Sequence, residues 1–193
     1  MLHKIGIKSI ISADCAELDR ADAIVLPGVG AFGAGMQALK QRQMINWLGH
    51  YAASGRMLVG ICLGMQLLGN WSDEDHCAGL GLIEARFKKF KFDYQGQEKL
   101  PVPHMGWNYV KLVDGHRLKG ELLPSSRFYF VHSYYASDVA QQNILLTADY
   151  GDTFVAAYNK NNIFGFQFHP EKSHLYGMHL FRLLFFPESI QAV

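Results

Sequence analysis

Short apolar runs alternate with helix-like segments in the first third of the chain. Residues 23–26 and 57–62 are compact runs of the kind that parallel strands bury, whereas residues 33–53 place apolar side chains at helical spacing. A second helical stretch, residues 63–68, follows the second run. This strand–helix–strand–helix order predicts a parallel sheet covered by helices on both faces.

The pattern becomes one of alternating apolar and polar residues after residue 71, which favours half-buried antiparallel strands. A last helix is expected to begin at a capping Ser173 and to end near residue 186. The predicted fold class is therefore an α/β sheet with helices on both faces and an antiparallel extension, and residues 1–193 are interpreted as one domain. The predicted antiparallel strands cover residues 82–92, 107–113, 128–135, 144–148, 153–158 and 163–168.

Smaller elements are predicted ahead of the first apolar run. Gly6 is typical of a helix C-cap, and residues 8–12 have the composition of a short strand. Asp14 is placed to cap a short helix that ends at Asp19. These elements are too short to define a layer of the fold by themselves.

Composition and charge exclude several classes of function. The 193 residues are 49% hydrophobic and 18% charged with a net charge of +1, so neither nucleic acid nor an anionic membrane surface is an expected partner. We expect no membrane span and no signal peptide, because the apolar runs are too short. Cys15, Cys62 and Cys77 are an odd number without paired spacing, which favours a reducing, cytoplasmic compartment.

Cys62 is the first candidate for chemistry. It lies at the predicted strand-to-helix turn with Gly60 and Gly64 on either side, which is the arrangement of a nucleophile elbow. The glycines would let the turn fold tightly and keep neighbouring Cβ atoms away from the thiol. The start of the next helix favours a thiolate, and the Leu63 N–H is free to donate to an oxyanion. The alternative is a small buried apolar residue without chemistry.

Residues 28–33 match Gly-x-Gly-x-x-Gly between a strand and a helix, which is the spacing of a dinucleotide-binding loop. Such a loop also needs an acidic residue about 20 positions later. Residues 34–72 contain none, and no Lys-Ser or Lys-Thr follows the glycines as a phosphate loop requires. We interpret the segment as a loop of backbone N–H donors beside a reactive centre, with nucleotide binding as the alternative.

His169 and Glu171 lie on either side of Pro170 at the end of the last predicted strand. A residue that precedes proline is extended, so the two side chains point to the same side, where the carboxylate can orient the imidazole. This pair is the most credible base for Cys62. A surface histidine with a helix-start glutamate is one alternative, and a metal site with His174 is another, although no fourth ligand is apparent.

Two further histidines lie in strand-like segments. His132 is a competing base, but its position inside a strand pattern favours a structural or substrate-lining role. His104 precedes Met105 and Trp107, whose large side chains fit either a core or a partner surface. The pattern alone slightly favours a core position for Trp107.

Five blocks of the sequence occur in the order of one known family. Together they resemble the class I glutamine amidotransferases, and within these the glutaminase subunits of imidazole glycerol phosphate synthase. The resemblance covers the chain from about residue 8 to its end and implies a flavodoxin-like α/β sheet. The blocks are the elbow around Cys62 and residues 26–32, 103–108, 129–134 and 165–173.

The resemblance implies hydrolysis of L-glutamine without a cofactor or a metal ion. Cys62 would attack the side-chain amide and form a thioester, His169 would transfer protons, and Glu171 would orient His169. The N–H of Leu63 and one in the glycine loop would hold the oxyanion. The implied glutamine-binding residues are Gly28, Val29, Gly30, Leu63, Gln66, His132, Ser133 and Tyr134.

The resemblance also implies a protein partner. Members of the family pass ammonia to a (β/α)8-barrel cyclase subunit, HisF, within a heterodimer. They have little glutaminase activity until that partner has bound its ligand. Met105, Trp107 and Lys172 match positions that face it. Two alternatives remain open: an ammonia-supplying paralogue for sugar amidation in surface polysaccharides, and a cysteine peptidase that uses the same Cys–His chemistry.

Family members usually begin with a strand, a loop and a helix, and residues 1–6 match only the tail of that helix. We expect the lack of that strand to leave unpaired backbone groups and an apolar groove beside residues 23–27. A start codon assigned too late, or a truncated gene, is favoured as the explanation over a new architecture.

Overall fold

The computed structural model describes residues 1–92, 100–113, 122 and 125–186. The helices are α1 (Cys15–Leu18), α2 (Phe32–Gln41), α3 (Met44–Ala53), α4 (Leu63–Leu67) and α5 (His174–Phe185), and short 3-10 helices cover Leu2–Ile5, Gln141–Asn143 and Pro170–Lys172. The strands are β1 (Ala23–Gly28), β2 (Met57–Cys62), β3 (Trp71–Ser72), β4 (Cys77–Ala78), β5 (Arg86–Lys89), β6 (His104–Tyr109), β7 (Lys111–Leu112), β8 (Arg127–His132), β9 (Tyr134–Ser137), β10 (Ile144–Tyr150), β11 (Asp152–Lys160) and β12 (Ile163–Phe166).

A mixed sheet with strand order β1-β2-β12-β11-β9-β5-β3-β4 organises these elements. Strands β1, β2 and β12 are parallel, whereas β11 runs antiparallel to β12, to β9 and to β10. The prediction of residues 163–168 as an antiparallel strand is therefore right only towards β11, because on its other side β12 pairs in parallel with β2. Strands β6 and β8 form a separate antiparallel pair. The predicted α/β sheet with an antiparallel extension is confirmed.

Helices cover both faces of the parallel part because its strands are apolar on both sides. Leu58 of β2 belongs to a buried cluster with Leu48 of α3, whereas its neighbours Val59 and Ile61 belong to a second cluster with α5. Successive residues of a strand point to opposite faces, so these two clusters lie on the two sides of the sheet. The buried strand ends are thereby fixed from both sides.

Several predicted boundaries hold. Gly6 has a φ of 86° at the end of the first 3-10 helix, and the Asp14 side chain accepts a hydrogen bond from the Ala16 N–H at the start of α1. Strand β2 has the predicted bounds, Met57–Cys62.

The helix expected over residues 33–53 is wrong as a single element, because Gln43 adopts a left-handed conformation with a φ of 58° and separates α2 from α3.

The strand predicted over residues 8–12 is absent. Strand β1 is at the edge of the sheet and pairs only with β2 in the described part of the chain, so residues 8–12 do not extend the sheet at its free edge. Their apolar residues Ile10 and Ile11 are exposed. A strand-like composition forms a strand only where a second strand supplies the hydrogen bonds.

Three antiparallel predictions have the wrong extent, two of them because the chain changes partners inside the predicted strand. The run over residues 128–135 bends at Ser133, where β8, paired with β6, gives way to β9, paired with β5. The run over residues 107–113 divides in the same way into β6 and β7, and β7 pairs with β10. Of residues 82–92, only Arg86–Lys89 lies opposite β9 and forms a strand.

Candidate active site

Cys62 occupies a tight turn between β2 and α4. It has a φ of 53° and a ψ of −112°, which is unfavourable for any residue with a Cβ and is typical of strain held at a functional site. Its Sγ lies 3.8 Å from the Val131 carbonyl oxygen and 3.9 Å from Gln167 Nε2. Leu63 is the first residue of α4, so its N–H has no partner within the helix. The predicted elbow geometry is present.

The glycines beside Cys62 have a different role from the one predicted. A Cβ on Gly64 would overlap the Leu26 carbonyl oxygen, and a Cβ on Gly60 would lie 2.7 Å from the backbone nitrogen of Met65. Both glycines therefore let α4 pack directly against β1 and β2, rather than clear space around the thiol. The positive φ of the turn is at the cysteine itself.

The glycine loop lies beside the nucleophile. Strands β1 and β2 pair in parallel with Gly28 opposite Cys62, so the loop that follows Gly28 begins at the elbow. Val29 is exposed, and Gly30 has a φ of 103°, which a residue with a side chain rarely adopts. The position fits the predicted loop of backbone donors.

Carboxylates occupy the N-terminus of α2. The Phe32 N–H donates to Glu74 Oε2 at 2.9 Å, and the Gly33 N–H donates to Asp75 Oδ2 at 3.1 Å. In a dinucleotide-binding fold this helix end receives the pyrophosphate. Because the chain fills the position with its own anions, the structure does not support the nucleotide alternative.

His169 is held in one orientation from two directions. Its Nδ1 lies 2.6 Å from Glu171 Oε1, as the spacing of the two residues predicts. Its backbone N–H donates to the Tyr129 carbonyl, and its own carbonyl accepts from the Ser173 hydroxyl at 2.6 Å. The Ser173 hydroxyl also accepts from the Tyr129 N–H, so the expected helix cap by this side chain is wrong.

The electrostatics favour a protonated His169. Burial lowers the pKa of His169, but interactions with Cys62 and Glu171 outweigh it and raise the pKa to about 9. Burial raises the pKa of Glu171, but its hydrogen bond with His169 brings the net pKa below its ordinary value. His169 Nε2 is buried and has no hydrogen-bond partner among the described residues. The arrangement supplies an imidazolium whose second nitrogen is left for Cys62 and a substrate, as proton transfer requires.

His132 is unsuited to the role of base. Its Nδ1 lies 2.8 Å from the Tyr134 carbonyl oxygen and its Nε2 lies 3.1 Å from His104 Nδ1, so both nitrogens are occupied. Burial lowers the pKa of His132 to about 3. The structural interpretation of this residue is therefore the better one.

Gln66 and Tyr134, both expected near glutamine, are in contact with each other. Gln66 Nε2 lies 3.3 Å from the Tyr134 carbonyl oxygen and 3.1 Å from Gln167 Oε1. Ser133 is at the bend between β8 and β9 that precedes this carbonyl. Sequence reasoning missed Gln167, although a single fully buried amide inside the apolar run before His169 is a recognisable signal.

An aromatic surface patch adjoins the His169–Glu171 pair. Met105 is 62% exposed and Trp107 is 44% exposed, so the interpretation of Trp107 as a core residue is wrong. The Trp107 ring stacks on His174 with 5.8 Å between centroids, and Lys172 Nζ lies 5.8 Å from the centre of the Tyr129 ring. We call these five residues the aromatic patch.

Two other classes of site find no support in the part of the chain that the structure describes. No group of three His, Cys, Asp or Glu residues there is arranged to hold a metal ion. No helix in the same ranges has both the length and the apolar character that a membrane span requires.

Comparison with known proteins identifies relatives along almost the whole chain. Residues 4–186 match the family Glutamine amidotransferase class-I. The chain is 46% identical to imidazole glycerol phosphate synthase subunit HisH 2 of Methanococcus maripaludis, covering 93% of this chain and 88% of the relative. It is 43% identical to HisH 2 of Pseudomonas aeruginosa (94% and 89% covered) and 41% identical to HisH of Bacillus subtilis (92% and 84%).

Solved structures share the fold at lower identity. One crystal structure of a glutamine amidotransferase superposes with a TM-score of 0.70 at 17% identity, covering 94% of this chain and 88% of that one. A glutamine amidotransferase from Thermotoga maritima gives a TM-score of 0.56 at 17% identity, covering 80% and 58%.

Proposed function

Because the chain belongs to the class I glutamine amidotransferase family, we propose that it is the glutaminase subunit of an imidazole glycerol phosphate synthase. It hydrolyses L-glutamine to glutamate and ammonia, and the ammonia passes to a cyclase subunit for histidine biosynthesis. This proposal is supported most strongly by one observation: the strained Cys62 turn and the His169–Glu171 pair belong to a chain that is 46% identical to a HisH protein.

The proposed mechanism assigns Cys62 as the nucleophile. Its thiolate attacks the side-chain amide carbon, and the resulting oxyanion accepts hydrogen bonds from the Leu63 N–H and from an N–H of the loop after Gly28. The His169 imidazolium gives its Nε2 proton to the departing nitrogen, which leaves as ammonia, and a thioester remains. Neutral His169 then takes a proton from water, which attacks the thioester and releases glutamate.

Glu171 orients His169 and stabilises its cation through the 2.6 Å contact with Nδ1. The raised pKa of His169 means that the imidazolium is present at neutral pH, before glutamine is attacked. The group that protonates the leaving nitrogen is thus already charged. Gln66 and the backbone at Ser133 and Tyr134 hold the substrate beside these groups.

The aromatic patch is the proposed interface with a (β/α)8-barrel cyclase subunit, HisF, in a heterodimer. Exposed aromatic and Met side chains are enriched at protein interfaces. Lys172 belongs to both the patch and the 3-10 helix that carries Glu171, so a partner bound there contacts the catalytic segment directly. All three cysteines are free thiols, which suits the proposed cytoplasmic location.

The test is ammonia release by the purified full-length chain, alone and with its cyclase subunit bound to the cyclase substrate. We expect slow hydrolysis of glutamine by the chain alone, a large increase in the loaded complex, and no hydrolysis of asparagine or of peptides. Peptide hydrolysis would support a cysteine peptidase instead. Co-purification with a barrel protein of a surface-sugar pathway, without stimulation by the cyclase, would support the sugar-amidating alternative.

A further inference from the structure

A chain of hydrogen bonds leads from the strand that carries the aromatic patch into the substrate side of the site. Asn108 Nδ2 lies 2.8 Å from the Asp149 carbonyl oxygen and 3.3 Å from His104 Nε2. His104 Nδ1 lies 3.1 Å from His132 Nε2, and His132 Nδ1 lies 2.8 Å from the Tyr134 carbonyl oxygen. Both histidines are buried.

The direction of every bond in this chain is determined by its ends. The Tyr134 carbonyl only accepts, so His132 carries its proton on Nδ1 and presents a bare Nε2. His104 must therefore donate from Nδ1, which leaves its Nε2 as the acceptor for the Asn108 amide. The Asn108 orientation is fixed in turn because its N–H also faces the Asp149 carbonyl.

The imidazole rings of His104 and His132 both stay neutral near neutral pH, so the direction of these hydrogen bonds does not reverse there. Burial lowers the pKa of His104 to about 4 and that of His132 to about 3. The His104 ring is stacked between Tyr150, at 4.0 Å between centroids, and Phe130, at 4.9 Å. Neither histidine is used as a proton carrier in the proposed mechanism.

The chain continues through Tyr134 to the nucleophile. The Tyr134 carbonyl oxygen accepts from His132 and also from Gln66 Nε2, so both of its lone pairs are used. Gln66 Nε2 gives its second N–H to Gln167 Oε1, and Gln167 Nε2 faces Cys62 Sγ at 3.9 Å. The Gln66 amide therefore has both donors committed and keeps its carbonyl oxygen for a substrate.

We propose that His104 and His132 are positioning residues. They hold in place the Tyr134 carbonyl, which orients the Gln66 amide, and thereby they support its recognition of glutamine. A carbonyl oxygen suits the α-ammonium group of a free amino acid, whereas a flipped amide would present N–H groups and repel it. This inference rests on the proposed function, since it names how the same site selects its substrate. Among the residues that the structure describes, the His104 side chain hydrogen-bonds with His132 and Asn108, so it acts through them.

The test separates the packing of the His104 ring from the hydrogen bond that its Nδ1 donates. His104→Phe keeps a stacked aromatic ring but removes the Nδ1 proton, whereas His104→Asn loses the ring but keeps an N–H close to the Nδ1 position. Phe154→Leu is the matched control, because this buried side chain packs edge-on against His104 without a place in the hydrogen-bond chain. All are assayed as the full chain with saturating cyclase subunit.

We expect His104→Phe to raise the KM for glutamine about tenfold with a smaller change in kcat, because one positioning hydrogen bond is lost. His104→Asn should recover most of that KM, and Phe154→Leu should lower the melting temperature without raising KM. An unchanged KM in His104→Phe, or an equal rise in Phe154→Leu, would overturn the inference.

Nitrogen NMR of the imidazoles gives a readout that does not need activity. We expect both His104 and His132 to be protonated on Nδ1 and bare on Nε2, and a proton on Nε2 of either ring would contradict the proposed direction.

The proposed function and the positioning role of the two histidines would be refuted by different results. A wild-type complex without glutamine hydrolysis would refute the function, whereas an active wild type with insensitive His104 variants would refute only the positioning role.

Discussion

Gly28 and Cys62 are register partners across the parallel strands β1 and β2. Because both strands end at the same edge of the sheet, the loop after Gly28 starts beside the nucleophile. The approach is close: a Cβ on Gly28 would lie 2.9 Å from Leu63 Cβ and 3.0 Å from the Gly64 nitrogen. This contact couples the position of the proposed oxyanion loop to the start of α4.

Gly28→Ala should therefore displace the loop from the elbow. We expect kcat for glutamine to fall about 100-fold, the usual cost of losing one oxyanion donor, while the chain still folds. The measurement is steady-state ammonia release together with a thermal melt. Wild-type turnover in a folded Gly28→Ala chain would show that the loop holds no donor for the oxyanion.

Gly49→Ala is the matched control for that substitution. Gly49 lies inside α3, and a Cβ there would meet nothing within 4 Å. The helix should gain about 0.5–1 kcal/mol from the better helix former, with no change in turnover. A loss of activity at Gly49 would mean that the effect at Gly28 is not specific to the loop.

Substitution of the three cysteines should separate the nucleophile from the other thiols. Cys62→Ser should abolish measurable hydrolysis, because a serine hydroxyl is a far weaker nucleophile at neutral pH. Cys15→Ser and Cys77→Ser should keep wild-type turnover, since both side chains are only partly buried and lie outside the site. Substantial activity in Cys62→Ser would refute the assignment.

The interactions of His169 with Cys62 and Glu171, which raise its pKa, predict how stability depends on pH. The pKa of His169 is raised from 6.5 to about 9 on folding, so its contribution to the free energy of unfolding is complete below pH 6.5 and disappears as the pH rises through about 9. Wild type should exceed His169→Gln in stability at pH 6, and the difference should shrink towards pH 9.5. Urea unfolding of both chains measures it. A difference that is constant or larger at high pH would contradict the raised pKa.

Trp107→Ala should weaken binding of the cyclase subunit more than it changes the isolated chain. A large aromatic residue at an interface centre typically contributes about 2 kcal/mol or more, so we expect the Kd to rise at least about thirtyfold. Titration calorimetry against the cyclase subunit gives the Kd, and a melt of the free chain gives the control. An unchanged Kd would remove the aromatic patch from the proposed interface.

Strands β1 and β2 of the parallel half could be predicted from sequence because they are short continuous apolar runs, whereas β12 was predicted as an antiparallel strand although it pairs in parallel with β2. Strand β2, the elbow and the facing of His169 and Glu171 depend on local spacing, and all are present as predicted. The antiparallel half was harder, because alternation continues through bends such as Ser133 where a strand changes partners. The alternation of apolar and polar residues in one strand does not indicate which other strand pairs with it.

The site contains relationships that sequence spacing could not reveal. Glu74 and Asp75 cap α2 from 42 residues away, and Gln167 joins Gln66 to the thiol across 101 positions. The exposure of Trp107 likewise follows from β6 and β8 forming a separate pair, which leaves one of their faces uncovered. Long-range contacts of this kind depend on the tertiary fold rather than on any local pattern.

The most direct test of the account follows the nitrogen itself. Glutamine labelled with nitrogen-15 at the side-chain amide is supplied to the complex of this chain with its cyclase subunit and the cyclase substrate, with excess unlabelled ammonium in solution. We expect the label to appear in the imidazole product with the wild-type chain and to be absent with Cys62→Ser. Release of the label only into solution, or its incorporation with Cys62→Ser, would contradict glutamine hydrolysis at Cys62 as the source of the cyclase's ammonia.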